Sequence, residues 1–240
     1  MKIFLINLDR SQDRLEHMRK SLAALDLPYE RVPAVNGAEL SPEDLARAFD
    51  ARRSLAANRA QMTLGQIGCA LSHDSIYLRM QTEAIDRALV LEDDIDFSPT
   101  FLRALDYVKS VMDVSRPQVY LFSYARNPHS FESSGVAQSF EAVKQKSMAC
   151  TDAYALTLPA ARLIYHANYP VLTCADDFRR WRRYFGLELY RVLPATVRQN
   201  PLWGSDVRSC SNGEWYRDVS GLRRLWYTTK DLYGILREGR

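Results

Sequence analysis

Cysteine is scarce in this chain, and its four copies, Cys69, Cys150, Cys174 and Cys210, stand far apart with no C-x-x-C pair. That spacing excludes a zinc ribbon or a thioredoxin-like redox motif and fits a reduced, cytoplasmic protein. Long apolar runs are missing too. The opening MKIFLINLDR places four apolar residues behind its lysine, too few for a signal-peptide core, and nothing later approaches the roughly eighteen needed to cross a bilayer. A soluble or peripheral protein is expected. An excess of one charge is also absent: the formal net charge is +3 over 240 residues, which gives no reason to expect a nucleic-acid partner. No repeat, low-complexity stretch or linker divides the sequence, so residues 1–240 read as one domain.

What is present is ordinary globular composition, 47% hydrophobic and 25% charged, and clear periodicity. KIFLINL reads as a buried first strand, followed by a helix capped by Ser11 with Leu15, Met18, Leu22 and Leu25 at helical spacing. YERVPAV alternates as a second strand and Asn36-Gly37 signals a turn. Residues 41–62 suggest a charged helix and then an arginine-rich loop. TLGQ, Thr63 to Gln66, has capping-box spacing and opens a helix reaching about Glu83. RALVLE is a third strand, and Ser98-Pro99 suits the N-cap and first turn of a helix holding Phe101, Leu102, Leu105 and Val108. QVYLF is a strand, 123–135 a polar loop, and DAYALTL a strand running into a helix opened by Pro159. Residues 195–216 read as loop. Leu222, Leu225, Trp226, Leu232, Tyr233 and Leu236 mark an amphipathic C-terminal helix.

The chemistry concentrates in ALVLEDDIDFSP, residues 88–99, where Glu92, Asp93, Asp94 and Asp96 crowd the carboxyl end of a strand. Such acids often only solvate a loop or favour the positive end of the next helix. Four carboxylates within five positions also repel one another unless a divalent cation offsets them, and loops after strand ends are where α/β sheets gather ligands. A receiver-domain reading of ALVLEDD fails: about ninety residues precede the cluster, and Asp106 and Asp113, the only aspartates between Asp96 and Asp152, fall on a predicted helix.

IFLINLDRSQDRLEHM, VPAVNGAEL, LGQIGCALSH, ALVLEDDI and TDAYALTLPAARLI occur in that order over about residues 2–178. Together they resemble glycosyltransferase family 25, the lipooligosaccharide galactosyltransferases and their collagen-modifying relatives. The resemblance implies a GT-A type, Rossmann-like α/β fold with a mixed sheet flanked by helices, in which the EDD triplet stands for a DxD motif. Residues 1–178 would be the motif-bearing core and 179–240 a basic loop and terminal helix. A sugar leaving UDP exposes a diphosphate whose charge a hard cation neutralises, and oxygen ligands favour Mn2+ or Mg2+ over zinc. By analogy Asp94 is the metal ligand, with Asp96 a further carboxylate, while Glu92 and Asp93 lie near the ribose or orient the loop. Many such folds add a late histidine; here the last is His166.

Other positions carry competing readings. Asn7, Asp9, Arg10 and Arg14 follow the first strand, where they would meet the nucleotide or merely cap a helix; guanidinium at Arg14 suits a diphosphate. His73, beside Ser72, is a nucleotide-sugar candidate or a satisfied structural histidine, and Cys69 reads as core packing. Asp176 and Asp177 in TCADDFRRW are candidates for the base that takes the acceptor proton, or simple helix-start stabilisers. RRWRRY, Arg179 to Tyr184, and the basic terminal helix with Arg217, Arg223, Arg224, Lys230 and Arg237 offer either a docking face for a lipid-linked oligosaccharide acceptor at the inner membrane or ordinary solvated faces. The expectation is a metal-dependent inverting transferase moving galactose from UDP-galactose, a UDP-hexose donor, to a lipooligosaccharide or similar surface glycan. The rival is a noncatalytic sugar-nucleotide or glycan-binding protein on the same fold.

Overall fold

The protein's structure is a computed structural model that describes residues 1–123 and 139–203. The expected terminal helix, its basic residues, Cys210 and nearly all of the polar loop 123–135 lie outside the described residues.

A seven-stranded mixed sheet in the order β2-β1-β3-β7-β5-β8-β6 forms the centre. Its strands are β1 (Lys2–Asn7), β2 (Glu30–Pro33), β3 (Arg87–Leu91), β5 (Gln118–Leu121), β6 (Glu141–Lys144), β7 (Ala153–Thr157) and β8 (Glu188–Leu193). β2, β1 and β3 run parallel, β7 runs against both β3 and β5, and β8 runs parallel to β5. Alternate residues of each strand serve opposite faces. Phe4, Ala88, Val90, Tyr154 and Leu156 face α4 (Leu64–Thr82), α6 (Leu158–Asn168) and α7 (Phe178–Phe185). Ile3, Leu5, Leu89, Leu91 and Ala155 face α1 (Gln12–Ala24) and α5 (Phe101–Val111). Helices thus cover both faces, which explains why β1 and β3 read as continuous apolar runs. This is the mixed α/β architecture expected of a GT-A-like fold.

The helix starts differ in their chemistry. The Thr63 capping box is complete: Gln66 N–H donates to the threonine hydroxyl at 3.2 Å, and Thr63 N–H donates to the Gln66 side chain at 2.8 Å. Ser11 stands at the N-cap of α1 without a side-chain cap bond. Ser98-Pro99 does not open α5. Thr100 is its N-cap, and Ser98 Oγ instead accepts from Thr100 N–H at 3.3 Å.

Residues 41–62 form two short helices, α2 (Pro42–Ala48) and α3 (Ala51–Asn58), capped by Ser41 and Asp50. Aspartate at 50 supplies the second N-cap, so the arginine-rich stretch is helical rather than loop. The region read as loop from 195 contains β9 (Val197–Gln199), which pairs with β4 (Ile95–Phe97), a strand too short to show periodicity. Trp181, expected on a docking face, is only 1% exposed and packs into the core with Phe178. Among the described residues no helix is long and apolar enough to cross a membrane.

Candidate active site

The carboxyl ends of the interior strands β1 and β3 collect the chemistry. β1 and β3 are parallel and in register at Leu5 and Leu91, so Asn7 and Asp93 leave their strands side by side. Asn7 Nδ2 donates to Asp93 Oδ2 at 2.7 Å, and an Arg14 guanidinium nitrogen, from the first turn of α1, lies 3.2 Å from Asp93 Oδ1. Asn7 is itself fixed by donating to Ser11 O and accepting from Arg31 Nε, each at 3.0 Å. Arg31 also pairs with Asp9, which is exposed, as is Arg10. Asn7 and Arg14 therefore join the acidic triplet, while Asp9 and Arg10 stand on its rim.

Glu92 continues the β3–β7 pairing, with its N–H donating to Asp152 O at 2.8 Å. Its carboxylate accepts from Thr151 Oγ1 at 2.5 Å and lies 3.4 Å from His73 Nε2. His73 is buried on α4, and its Nδ1 is 2.8 Å from the Tyr154 hydroxyl, which meets the Tyr77 hydroxyl at 2.7 Å. The helix is seated by Ser72, which accepts from Val35 N–H at 2.8 Å and donates to Gly68 O at 2.7 Å. In the LSH stretch the serine thus fixes the backbone and the histidine faces the acids.

Asp94 behaves differently. It is 7% exposed, and its Oδ1 is buried without a hydrogen-bond partner. Burial, reinforced by Glu92 and Asp93, pushes its carboxyl up to about 7. Burial also raises Asp152 to about 7, against the opposing hydrogen bond from Ser123 Oγ at 2.5 Å. Asp93 and Asp176 are raised by burial as well. Burial acts on Glu92 in the same sense, but the bond and charge of His73 overcome it and hold that carboxyl low. Buried acids with perturbed ionisation, gathered at a sheet end, mark this as a functional-site candidate.

Asp96 turns away from this group. Arg198 reaches its Oδ2 at 3.2 Å, Asn200 donates to its Oδ1 at 2.9 Å, and His17 Nε2 lies 3.3 Å from Oδ1. The second acidic pair also divides. Asp176 Oδ2 accepts from Cys150 N–H at 3.2 Å, and the charges of Asp177 and Glu92 add to burial in raising its carboxyl. Asp177 caps α7, accepting from Arg180 N–H at 3.3 Å and from Arg180 Nε at 2.8 Å. Reading the sequence alone missed Asp152 and Tyr154, although both stand in the TDAY stretch, and missed the placement of Cys69. Its Sγ shares a space 4.8 Å across with ligand atoms of His73 and Glu92; the signal was its position one helical turn before His73.

Residues 1–179 match a family model described as glycosyltransferase family 25 (LPS biosynthesis protein). The chain belongs to glycosyltransferase family 25. A glycosyltransferase 25 family member of Drosophila melanogaster is 40% identical over 104 residues, covering 42% of this chain and 17% of that protein. Procollagen galactosyltransferase 2 of Mus musculus is 32% identical over 122 residues, 49% of this chain and 19% of its own length. A putative glycosyltransferase, R655, of Acanthamoeba polyphaga mimivirus is 32% identical over 123 residues, 50% of this chain and 37% of the viral protein. The match therefore spans less than a fifth of the two animal relatives. In this family-25 chain the matched residues 1–179 contain every acid of the site described above.

Proposed function

We propose that the protein is a metal-dependent inverting glycosyltransferase that moves galactose from UDP-galactose to a hydroxyl of a glycan or protein acceptor. The observation that carries this reading is the buried, unpartnered oxygen of Asp94 beside Asp93, the latter clamped by Asn7 and Arg14 at the carboxyl edge of the sheet. An orphaned buried carboxylate oxygen is costly alone and suits a hard divalent ion such as Mn2+ or Mg2+. Asp94 would hold that ion; Asp96, already engaged by Arg198 and Asn200, is a poorer donor. When bound, the ion supplies charge neutralisation to the leaving diphosphate.

The protein's own groups divide the remaining work. Asn7 and Arg14 fix the Asp93 carboxylate, and the Arg14 guanidinium adds positive charge where phosphate oxygens would lie. Asp176 takes the proton of the acceptor hydroxyl as its oxygen attacks the anomeric carbon and UDP departs from the opposite face. Burial holds its carboxyl above the usual range, which brings it closer to the working pH of a general base. Asp177 is committed to capping α7 and is not needed for the step.

Galactose as the donor sugar draws support from the mouse relative's name. The acceptor is less constrained, since the family description refers to LPS and the animal relatives to procollagen, which counts against a lipid-linked oligosaccharide as the family's shared acceptor. The test is UDP release from UDP-galactose, UDP-glucose and UDP-N-acetylglucosamine with Mn2+ or EDTA, in the presence of glycan or collagen-peptide acceptors. Metal-dependent release from UDP-galactose with a product one hexose heavier is expected. Nucleotide binding without turnover would favour a sugar-nucleotide-binding protein.

A further inference from the structure

We propose that Cys69, His73 and Glu92 form a seat for a borderline-soft divalent cation of the zinc class, distinct from the hard-ion role assigned to Asp94. Cys69 and His73 are four residues apart on α4 and so project from one face. Glu92 meets them from the end of β3. One ligand atom from each residue lies within 4.8 Å of the others, and His73 Nε2 is 3.4 Å from Glu92 Oε1. Metal bonds of about 2.0–2.3 Å in a tetrahedral shell hold neighbouring donors roughly 3.3–3.7 Å apart. The nitrogen–oxygen pair already has that spacing, and the thiol lies within 4.8 Å of both atoms.

The donor set decides the class of ion. Thiolate and imidazole together favour Zn2+ or Co2+ over Mn2+ and Mg2+, which prefer oxygen. Three protein ligands leave one position open, as in zinc sites that also bind water or substrate. Outer-shell support is in place. The Tyr154 hydroxyl, 2.8 Å from His73 Nδ1, fixes the ring and leaves Nε2 facing the seat, and Thr151 Oγ1 orients Glu92 from 2.5 Å. Tyr77 anchors Tyr154 in turn at 2.7 Å. These are the kinds of partner that hold metal-ligating side chains in rigid sites. An ion here ties α4 to the end of β3 without any C-x-x-C motif, because a helix turn and a strand end supply the ligands.

The test is a titration of the metal-stripped full chain with Co2+ under reducing conditions, read as thiolate-to-cobalt charge-transfer absorption. One equivalent per chain is expected, displaced by Zn2+ but not by a roughly tenfold excess of Mn2+. The band should persist in Cys150→Ser and Cys174→Ser and vanish in Cys69→Ser, with each variant's fold checked by circular dichroism. Should Cys69→Ser fail to fold, His73→Gln serves, with an expected loss of roughly tenfold or more in cobalt affinity. No band, a band that follows Cys150 or Cys174, or unchanged affinity in His73→Gln would overturn the assignment. No nucleotide enters this experiment, so its outcome is separate from the transferase reading: Asp94→Asn should abolish Mn2+-dependent UDP release while leaving the cobalt band intact.

Discussion

Asp94 shows how one side chain couples charge, stability and chemistry. Its carboxyl is raised to about 7, as is that of Asp152, so between about pH 4 and pH 7 the native state keeps protons that the unfolded chain has released. Stability in chelator should therefore fall as pH rises through that window and level off above it, opposite to ordinary acid denaturation. Asp94→Asn removes the ionisation. We expect it to exceed the parent's stability at pH 8 in EDTA by on the order of 2 kcal/mol, with the difference shrinking toward pH 4. Mn2+ should raise the parent's melting temperature at pH 8 and leave the variant's unchanged; denaturant melts across pH with and without metal measure both. The two aspartates of TCADDFRRW should separate just as cleanly. Asn caps helices about as well as Asp, so Asp177→Asn should cost under about 1 kcal/mol and retain turnover. Asp176→Asn should lower kcat by about a hundredfold or more with KM little changed, which steady-state kinetics with UDP-galactose would reveal.

At the scale of the element, the amino half of α4 is held tightly against the segment from Val35 to Gly37. A Cβ on Gly68 would fall 2.4 Å from Val35 O and 2.6 Å from Gly37 N, and one on Gly37 would fall 1.8 Å from Leu64 O. Those obstacles are backbone atoms with little room to yield, so Gly68→Ala should destabilise the protein by about 1–3 kcal/mol. Because the clash lies one residue before Cys69, cobalt affinity at the Cys69, His73 and Glu92 seat should weaken with it; calorimetric melting and cobalt titration report the two effects. The capping box was legible at Thr63 because its two bonds are made within four residues. By contrast, the clearance between Gly37 and Gly68 depends on how the 3-10 turn Gly37–Glu39 docks on α4, which local spacing does not encode. The same distinction explains Ser98, whose sequence context suits a cap while the chain turns one residue pair later, and Asp96, whose partners Arg198 and Asn200 arrive from a distant strand.

For the whole molecule, the sheet extends beyond the stretch that resembles the family. β8 lies between β5 and β6, and β9 brings Asn200, whose N–H donates to Asp94 O at 2.7 Å. A fragment ending at residue 179 would lose β8 from the side of β5 and release the acidic loop. We expect it to associate through the opened strand edge on size-exclusion chromatography and to melt without a cooperative transition. The layered α/β architecture was legible from the apolar runs of β1 and β3, whereas the antiparallel insertion of β7 was not, because strand order reflects long-range pairing. β3 has a further consequence for descent. Ala88 and Val90 fill one core, Leu89 and Leu91 the other, and the next three residues are Glu92, Asp93 and Asp94. Inserting or deleting a single residue here would exchange the two apolar sets and move each acid into its neighbour's place at once. A change of length in this strand would therefore disturb both cores and the acidic site together, where a substitution disturbs one position.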